Sequence, residues 1–383
     1  MRIRVVQSVV DIGAESWNAL ANPPHRAYNP FIDHAFLSAL EKSGSATRST
    51  GWLGHHMVME EETGSVCGIL PCYLKAHSSG EYVFDHGWAE AYERAGGTYY
   101  PELQASVPFT PVTGRRLLAR AGAEEATLQR LLLKAAHEVC IGRGLSSLHI
   151  TFLPEEEAKL AAAEGYLQRT DTQFHWLNDG YAHFDDFLAR LSSAKRKNIR
   201  KERDSVRSLG LEFEWLTGTD ILEKHWDAFF AFYMDTGSRK WGSPYLKRAF
   251  FSLIGQSMAD RILLILCKRK TRYIAGALNF IGSDTLYGRN WGATEHHQFL
   301  HFETCYYQAI DYAIASKLDC VEAGAQGPHK LSRGYLPRTT YSAHCFSDPR
   351  LGRAVADYLK QERRAVEDDQ ELLAAHSPFR NSS

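Results

Sequence analysis

RILLILCKRK at residues 261–270, running into TRYIAGALNFI at 271–281, is the stretch that decides the fold. Ile262 to Cys267 is an unbroken apolar run of strand length, too short to cross a membrane. Lys268 to Thr271 are turn-like and basic, and apolar character resumes from Tyr273. The pattern predicts a hairpin with arms Arg261 to Arg269 and Tyr273 to Ile281. Working outward, Asp284 to Trp291 reads as a third strand, Phe302 to Ser316 as a helix, and Leu318 to Ala323 as a further strand.

The same order occurs upstream with different residues. Leu53 to Glu60 and Val66 to Ala76 form a hairpin around Glu61-Glu62-Thr63-Gly64, and Glu81 to Asp85 extends it. Glu102 to Val107 is a strand stopped by Pro108 and Pro111. A helix over Glu124 to Ile141, striped by Leu128, Leu131, Leu132, Ala135 and Val139, leads to the strand Ser146 to Thr151. Two copies of one element order predict a duplicated α/β (α+β) fold, with mixed, mainly antiparallel sheets flanked by helices. At 383 residues two cores are the natural division. The turn cluster Leu177-Asn178-Asp179-Gly180 places the domains at 1–178 and 179–383. The second domain opens with a basic helix, Phe184 to Leu209, and ends in a helical tail.

Composition narrows the function classes. A net charge of -1, with 44% apolar and 23% charged residues, is that of a folded protein whose bulk charge asks for no nucleic-acid partner. The N-terminal apolar run breaks at Gln7, Ser8 and Asp11, so no signal peptide is expected, and no run suits a transmembrane segment. Seven scattered cysteines in apolar surroundings read as reduced, buried thiols, which points to the cytoplasm.

Four groups of residues carry a resemblance: Phe84-Asp85-His86-Gly87-Trp88-Ala89; Tyr99-Tyr100-Pro101 with Pro108-Phe109-Thr110-Pro111; Leu300-His301-Phe302-Glu303 with Cys305-Tyr306-Tyr307-Gln308; and Gly324-Ala325-Gln326-Gly327 with His329-Lys330-Leu331 and Arg333-Gly334-Tyr335. Together they resemble the FemAB-like family of the GNAT superfamily, N-acyltransferases related to the peptidyltransferases that add amino acids to peptidoglycan precursors. The segment Ser192 to Arg200 is similar to the opening of the second domain in such enzymes. The resemblance implies two tandem GNAT-like acyl-CoA N-acyltransferase domains. It also implies transfer of an acyl or aminoacyl group from an activated donor to an amine acceptor, with a peptidoglycan precursor as one possible acceptor. One departure bears on the donor. Acetyl-CoA enzymes hold the pyrophosphate on a glycine-rich turn at a helix N-terminus, whereas here that stretch is Gly292-Ala293-Thr294-Glu295-His296-His297-Gln298-Phe299-Leu300. No tightly bound cofactor is expected, and acyl-CoA and aminoacyl-tRNA both stay open as co-substrate.

The candidate chemistry concentrates in the loop from Gly324 to Tyr335. Lys330, matched to a lysine near this place in related peptidyltransferases, and Arg333 suit an oxyanion or a phosphate. Gln326, Gly327 and Tyr335 offer substrate contacts; the plainer reading is a solvated basic loop. Glu303, His301 and His329 are candidate bases for the acceptor amine, although an acid in a first helical turn also serves as a cap. Arg289, Asn290 and Trp291, with Arg239 and Lys240, are candidate walls of the acceptor site, as are Asp85, His86 and Trp88 in the first repeat. Packing explains each set equally well. Lys195, Arg196, Lys197 and Arg200 suit the phosphates of a tRNA or nucleotide-linked precursor, or form a solvated face. Glu295, His296, His297, His301 and Cys305 lack a zinc-type spacing, so no metal is expected. A non-catalytic module recognising a cell-wall precursor or tRNA is the alternative, and a nucleic-acid-binding protein centred on the basic helix a third.

Overall fold

In the computed structural model, which describes residues 1–241, 244–324 and 327–380, the chain forms two compact units. One comprises Met1–Thr172 with Thr339–Asp368, the other Gln173–Arg338 with Asp369–Ser383. The division therefore falls at 172/173 rather than 178/179, and residues 339–368 belong to the first unit instead of the second.

The first unit holds two sheets. Strands β1 (Arg2–Val6), β3 (His56–Glu60), β4 (Val66–Leu70) and β7 (Leu118–Ala119) form an antiparallel sheet in the order β1-β3-β4-β7. Strands β2 (Trp52–Gly54), β5 (Tyr73–Lys75), β6 (Glu102–Ala105) and β8 (Ser147–Leu153) belong to another. Each predicted hairpin arm is thus broken between two sheets, at His55 and at Pro71-Cys72, where the His55 N–H donates to the Cys72 carbonyl at 2.8 Å. A proline that cannot donate to a ladder marks that crossing. No strand forms over Glu81 to Asp85.

β6 and β8 are parallel and are joined through the helix Glu125–Gly142. That helix buries Leu128, Leu132, Leu133, Ala136 and Cys140, a stripe turned from the expected one, and leaves Leu131 exposed. The strand Leu336–Phe346 contributes Tyr341 to Phe346 as the antiparallel neighbour of β8, which is why this late segment joins the first core.

The second unit is built on one sheet. β9 (Leu167–Leu177) contributes its last residues, and β10 (Glu212–Leu216), β11 (Ile262–Arg269), β12 (Arg272–Ile281) and β13 (Thr285–Ala293) run antiparallel to one another in sequence order. β14 (Cys320–Glu322) then lies parallel to β13 and antiparallel to β9. Between β13 and β14 the chain passes through a continuous helical segment, Leu300–Phe302, a π-type turn Glu303–Tyr307, and Gln308–Ala315. The core beneath it gathers Trp176, Phe187, Leu263, Ile265, Tyr307, Ile310 and Val321. Gly292 is required where the helix Glu223–Trp241 crosses β13: a Cβ there would lie 2.1 Å from the Phe232 carbonyl oxygen.

The expected basic helix is two helices, Phe184–Arg190 and Ser193–Arg207, because Leu191 and Ser192 are extended (ψ 156° and 152°). Among the described residues no helix is long and apolar enough to cross a membrane, and none of the seven cysteines forms a disulfide.

Candidate functional site

β13 pairs with β14 only through Thr285–Cys320, Leu286–Val321 and Tyr287–Glu322; beyond this point β13 continues from Gly288 to Ala293 without β14 alongside. A parallel pair that splays in this way exposes backbone and side chains to a ligand at the sheet's opening. The register between β12 and β13 slips here, with Asn279 opposite Gly288 and Leu278 opposite Asn290, so Arg289 is the extra, bulged residue. Bulges re-aim side chains and recur beside active sites. Arg289, Asn290, Trp291, Asn279, His301, Cys305 and Tyr306 line a cleft of about 110 Å³. Trp291 and His301 also border a second hollow of about 410 Å³, together with Thr236, Glu295, His296, His297 and Leu300. Cys305 and Tyr306 of the π-type turn, a local irregularity frequent at functional sites, line the cleft with His301 just before it.

Behind the cleft is a set of buried ionisable groups. Lys330 is 2% exposed, and its ammonium donates to the Gly324 carbonyl at 2.8 Å. Burial, reinforced by the positive charge of Arg289, pulls its pKa down to about 7. Glu322, at the end of β14, is 7% exposed, and burial pushes its carboxyl up to about 7 against the attraction of Arg289. Its Oε2 is buried without a hydrogen-bond partner, and Oε1 lies 3.8 Å from Nε2 of His175 on β9. Burial, with the cations Arg338, Arg289 and Lys330, takes His175 down to about 4, so this imidazole is neutral. A lysine and a glutamate both held near neutrality beside one cleft are the signature of proton-handling groups.

Other expected residues have different roles. Glu303 is 4% exposed; Oε1 accepts from Arg203 at 2.9 Å and from Gln308 at 2.8 Å, and Oε2 accepts from Arg203 at 3.2 Å. Arg203 also reaches Asp311 at 2.5 Å and lies 4.3 Å over the Phe184 ring. This is a structural ion pair, and it removes Glu303 from the bases available to a substrate. Arg333 is likewise engaged: its Nε and Nη2 donate to Glu202 at 3.1 and 2.7 Å, its Nη1 to the His329 carbonyl at 2.8 Å, and it sits 3.4 Å over the Phe302 ring. That guanidinium fastens the loop to the helix Ser193–Arg207 rather than offering itself to an anion. Tyr335 is fully buried against Tyr306, and Gly334 is left-handed (φ 89°) with no room for a Cβ, which would lie 2.6 Å from the Phe187 ring. The glycine-aromatic pair is therefore packing.

His329 is exposed and shares a hydrogen bond of 3.0 Å with the Tyr306 hydroxyl, while His301 packs edge-on to Trp291. Gly327 precedes the turn Pro328–Arg333. Gln326 and the side chains of Arg239 and Lys240 lie outside the described residues. Arg196, Lys197, Arg200 and Lys201 line an open groove of about 570 Å³; Lys195 is not part of it, and Arg200 reaches Asp185 at 3.2 Å. In the first unit, Asp85 is buried with Tyr99 and His149, His86 is exposed against Phe84, and Trp88 is buried beneath Arg169.

The turn that would hold a pyrophosphate is poorly suited to it. No glycine lies between Gly292 and the helix, the Leu300 N–H is given to the His297 carbonyl at 3.2 Å, and Glu295 is held ionised by His297, Arg269 and Arg272.

Asn279, Glu322 and His175 were not singled out from the sequence. The one available signal was an acid closing the apolar strand Cys320-Val321-Glu322.

The fold is shared with solved structures of low sequence identity. FemX matches with a TM-score of 0.56 and 11% identity, covering 93% of this chain and 100% of that one. The C-terminal domain of a putative lysylphosphatidylglycerol synthetase from Agrobacterium fabrum matches at 0.52 and 10%, covering 92% and 96%. A tandem GNAT protein of the clavulanic acid biosynthesis pathway matches at 0.48 and 11%, covering 91% and 99%. No curated protein matches the sequence. The model of the FemAB_like family, described as peptidoglycan biosynthesis/recognition, matches residues 8–381. With its mixed, mainly antiparallel sheets flanked by helices, the chain belongs to the FemAB_like family.

Proposed function

We propose that the chain is an N-acyltransferase that moves an aminoacyl group from an activated donor to an amine acceptor of the peptidoglycan-precursor type. The observation that carries this reading is the buried Lys330, held near neutrality beside the splayed strands. The acceptor nitrogen attacks the acyl carbon, a C–N bond forms, and the bond from that carbon to the donor oxygen breaks. The amine must lose one proton and the leaving oxygen gain one. Glu322 and Lys330, each poised near pH 7, are the groups assigned to that exchange, with His301 on the cleft wall and His329 bonded to Tyr306. Arg289 and Asn290 face the developing negative charge. Lys330 keeps its place as the residue of first importance, while Glu322 takes that of Glu303 among the bases, since Glu303 is committed to Arg203.

For the donor, the glycine-free turn with its ionised Glu295 argues against a CoA pyrophosphate, and the basic groove of Arg196, Lys197, Arg200 and Lys201 favours a polyanion such as aminoacyl-tRNA. The test is a donor panel, with acyl-CoAs and aminoacyl-tRNAs offered with precursor amines. Transfer from aminoacyl-tRNA supports the proposal. Binding of donor and precursor with no transfer from any donor would instead make the chain a recognition module.

A further inference from the structure

The first unit contains a convergence of buried ligating atoms that the acyl-transfer reading does not use. Asp85, just before the helix His86–Arg94, Glu102 on β6 and His149 on β8 bring one atom each to within 4.8 Å of one another. His149 Nε2 lies 3.2 Å from Glu102 Oε2 and 3.5 Å from Asp85 Oδ2. A tetrahedral centre with metal–ligand bonds of about 2.0–2.1 Å separates its ligands by about 3.3–3.4 Å, and the two separations from His149 lie close to that value. The Tyr99 hydroxyl lies beside them, donating to Asp85 Oδ2 at 2.8 Å and standing 3.1 Å from His149 Nε2.

Two further observations point to a ligand. Glu102 is 1% exposed and lies against Asp85, itself 3% exposed. Two carboxyl groups held together in a dry interior are costly unless a proton or a cation lies between them. The other ring nitrogen of His149 is fixed by His344, Nδ1 to Nδ1 at 2.7 Å, the outer-shell arrangement that orients a metal-bound imidazole. Lys75 is paired with Glu81 and gives a further hydrogen bond to the Ser79 carbonyl at 3.2 Å. A divalent ion held by two carboxylates and a neutral imidazole would be charge-balanced.

We infer that Asp85, Glu102 and His149 form a structural site for a divalent transition-metal ion of the zinc class, with His344 orienting His149. The imidazole among the donors suits an ion of this class, and the closed surroundings suit one that braces β6, β8 and the Asp85 loop rather than one that meets substrate.

The full chain, produced in zinc-supplemented medium and dialysed, should retain about one zinc per chain. When it is loaded with Co²⁺ instead, it should show the visible absorption of a tetrahedral site. Zinc should raise the melting temperature of chelator-treated protein by several degrees. Glu102→Gln, which keeps the shape and removes the charge, should lose the bound metal and the zinc-dependent shift, and His344→Ala should weaken binding about 10- to 100-fold. Wild-type protein with no stoichiometric metal, no Co²⁺ band and no zinc-dependent shift would overturn the inference and leave a proton-sharing hydrogen-bond network. Undiminished binding by Glu102→Gln would overturn it as well. If that variant does not fold, the wild-type metal content and Co²⁺ spectrum decide alone.

Discussion

Lys330→Met should abolish transfer and at the same time stabilise the protein at neutral pH. In the native state burial and Arg289 take the Lys330 amine from 10.5 down to about 7, so between those values the unfolded chain carries a proton that the native chain lacks. Native stability therefore rises as pH rises from about 7 to 10.5, and at pH 7 the buried lysine costs about 4 kcal/mol relative to alkaline conditions. Methionine removes that cost but also removes the hydrogen bond to Gly324, worth about 1.5–3 kcal/mol for a charged donor. The net expectation is a variant more stable by roughly 1–3 kcal/mol at pH 7, with the advantage shrinking by about 3 kcal/mol by pH 9.5. Urea unfolding of both proteins at the two pH values reads this directly. A difference that does not change with pH, or a variant less stable at pH 7, would refute the electrostatic account of the loop.

Glu322→Gln should act with the opposite pH sense. Its carboxyl is raised from 4.5 to about 7, so the wild type loses stability as pH rises through that window, and the variant should gain relative stability of about 3 kcal/mol by pH 8 and nothing at pH 4. The same variant should flatten any limb near pH 7 in the rate profile. Arg203→Met should lower stability by about 3–5 kcal/mol, since it strands Glu303 as a buried unpaired acid; equal urea midpoints would contradict the structural role given to that pair. Charge reversal at Lys197 and Lys201 should raise KM for an aminoacyl-tRNA donor and reduce the slope of log affinity against log salt by about 0.7–0.9 for each phosphate no longer neutralised. An unchanged slope would separate the basic groove from donor binding.

The order of elements was legible because hydrophobic runs and turns are local: β11, β12, β13 and β14 fall within one or two residues of the expected 261–269, 273–281, 284–291 and 318–323. What the runs hide is where a strand changes sheet, as at His55 and Pro71, since an apolar arm looks the same whichever partner it pairs with. The return of residues 339–346 to β8 is a pairing between segments far apart in the chain, and no local pattern encodes it.

The site was half visible. Arg289, Asn290, Trp291 and His301 follow from the element they end or begin, and the structure brings them to one cleft. Arg333 and Glu303 carried the right chemistry for a site, but a charged side chain reveals nothing of its partner until Glu202 and Arg203 are seen against them. The Asp85, Glu102 and His149 cluster was illegible for the same reason: the three are spread along the chain and meet only through the parallel pairing of β6 and β8 and the loop before the helix His86–Arg94.

The most direct test of the central claim is single-turnover transfer of a labelled amino acid from aminoacyl-tRNA to a peptidoglycan-precursor amine, with wild type and folded Lys330→Met side by side. Labelled amide product is expected with wild type and none above background with the variant. Equal product from both, or product only when an acyl-CoA replaces the tRNA, would contradict it.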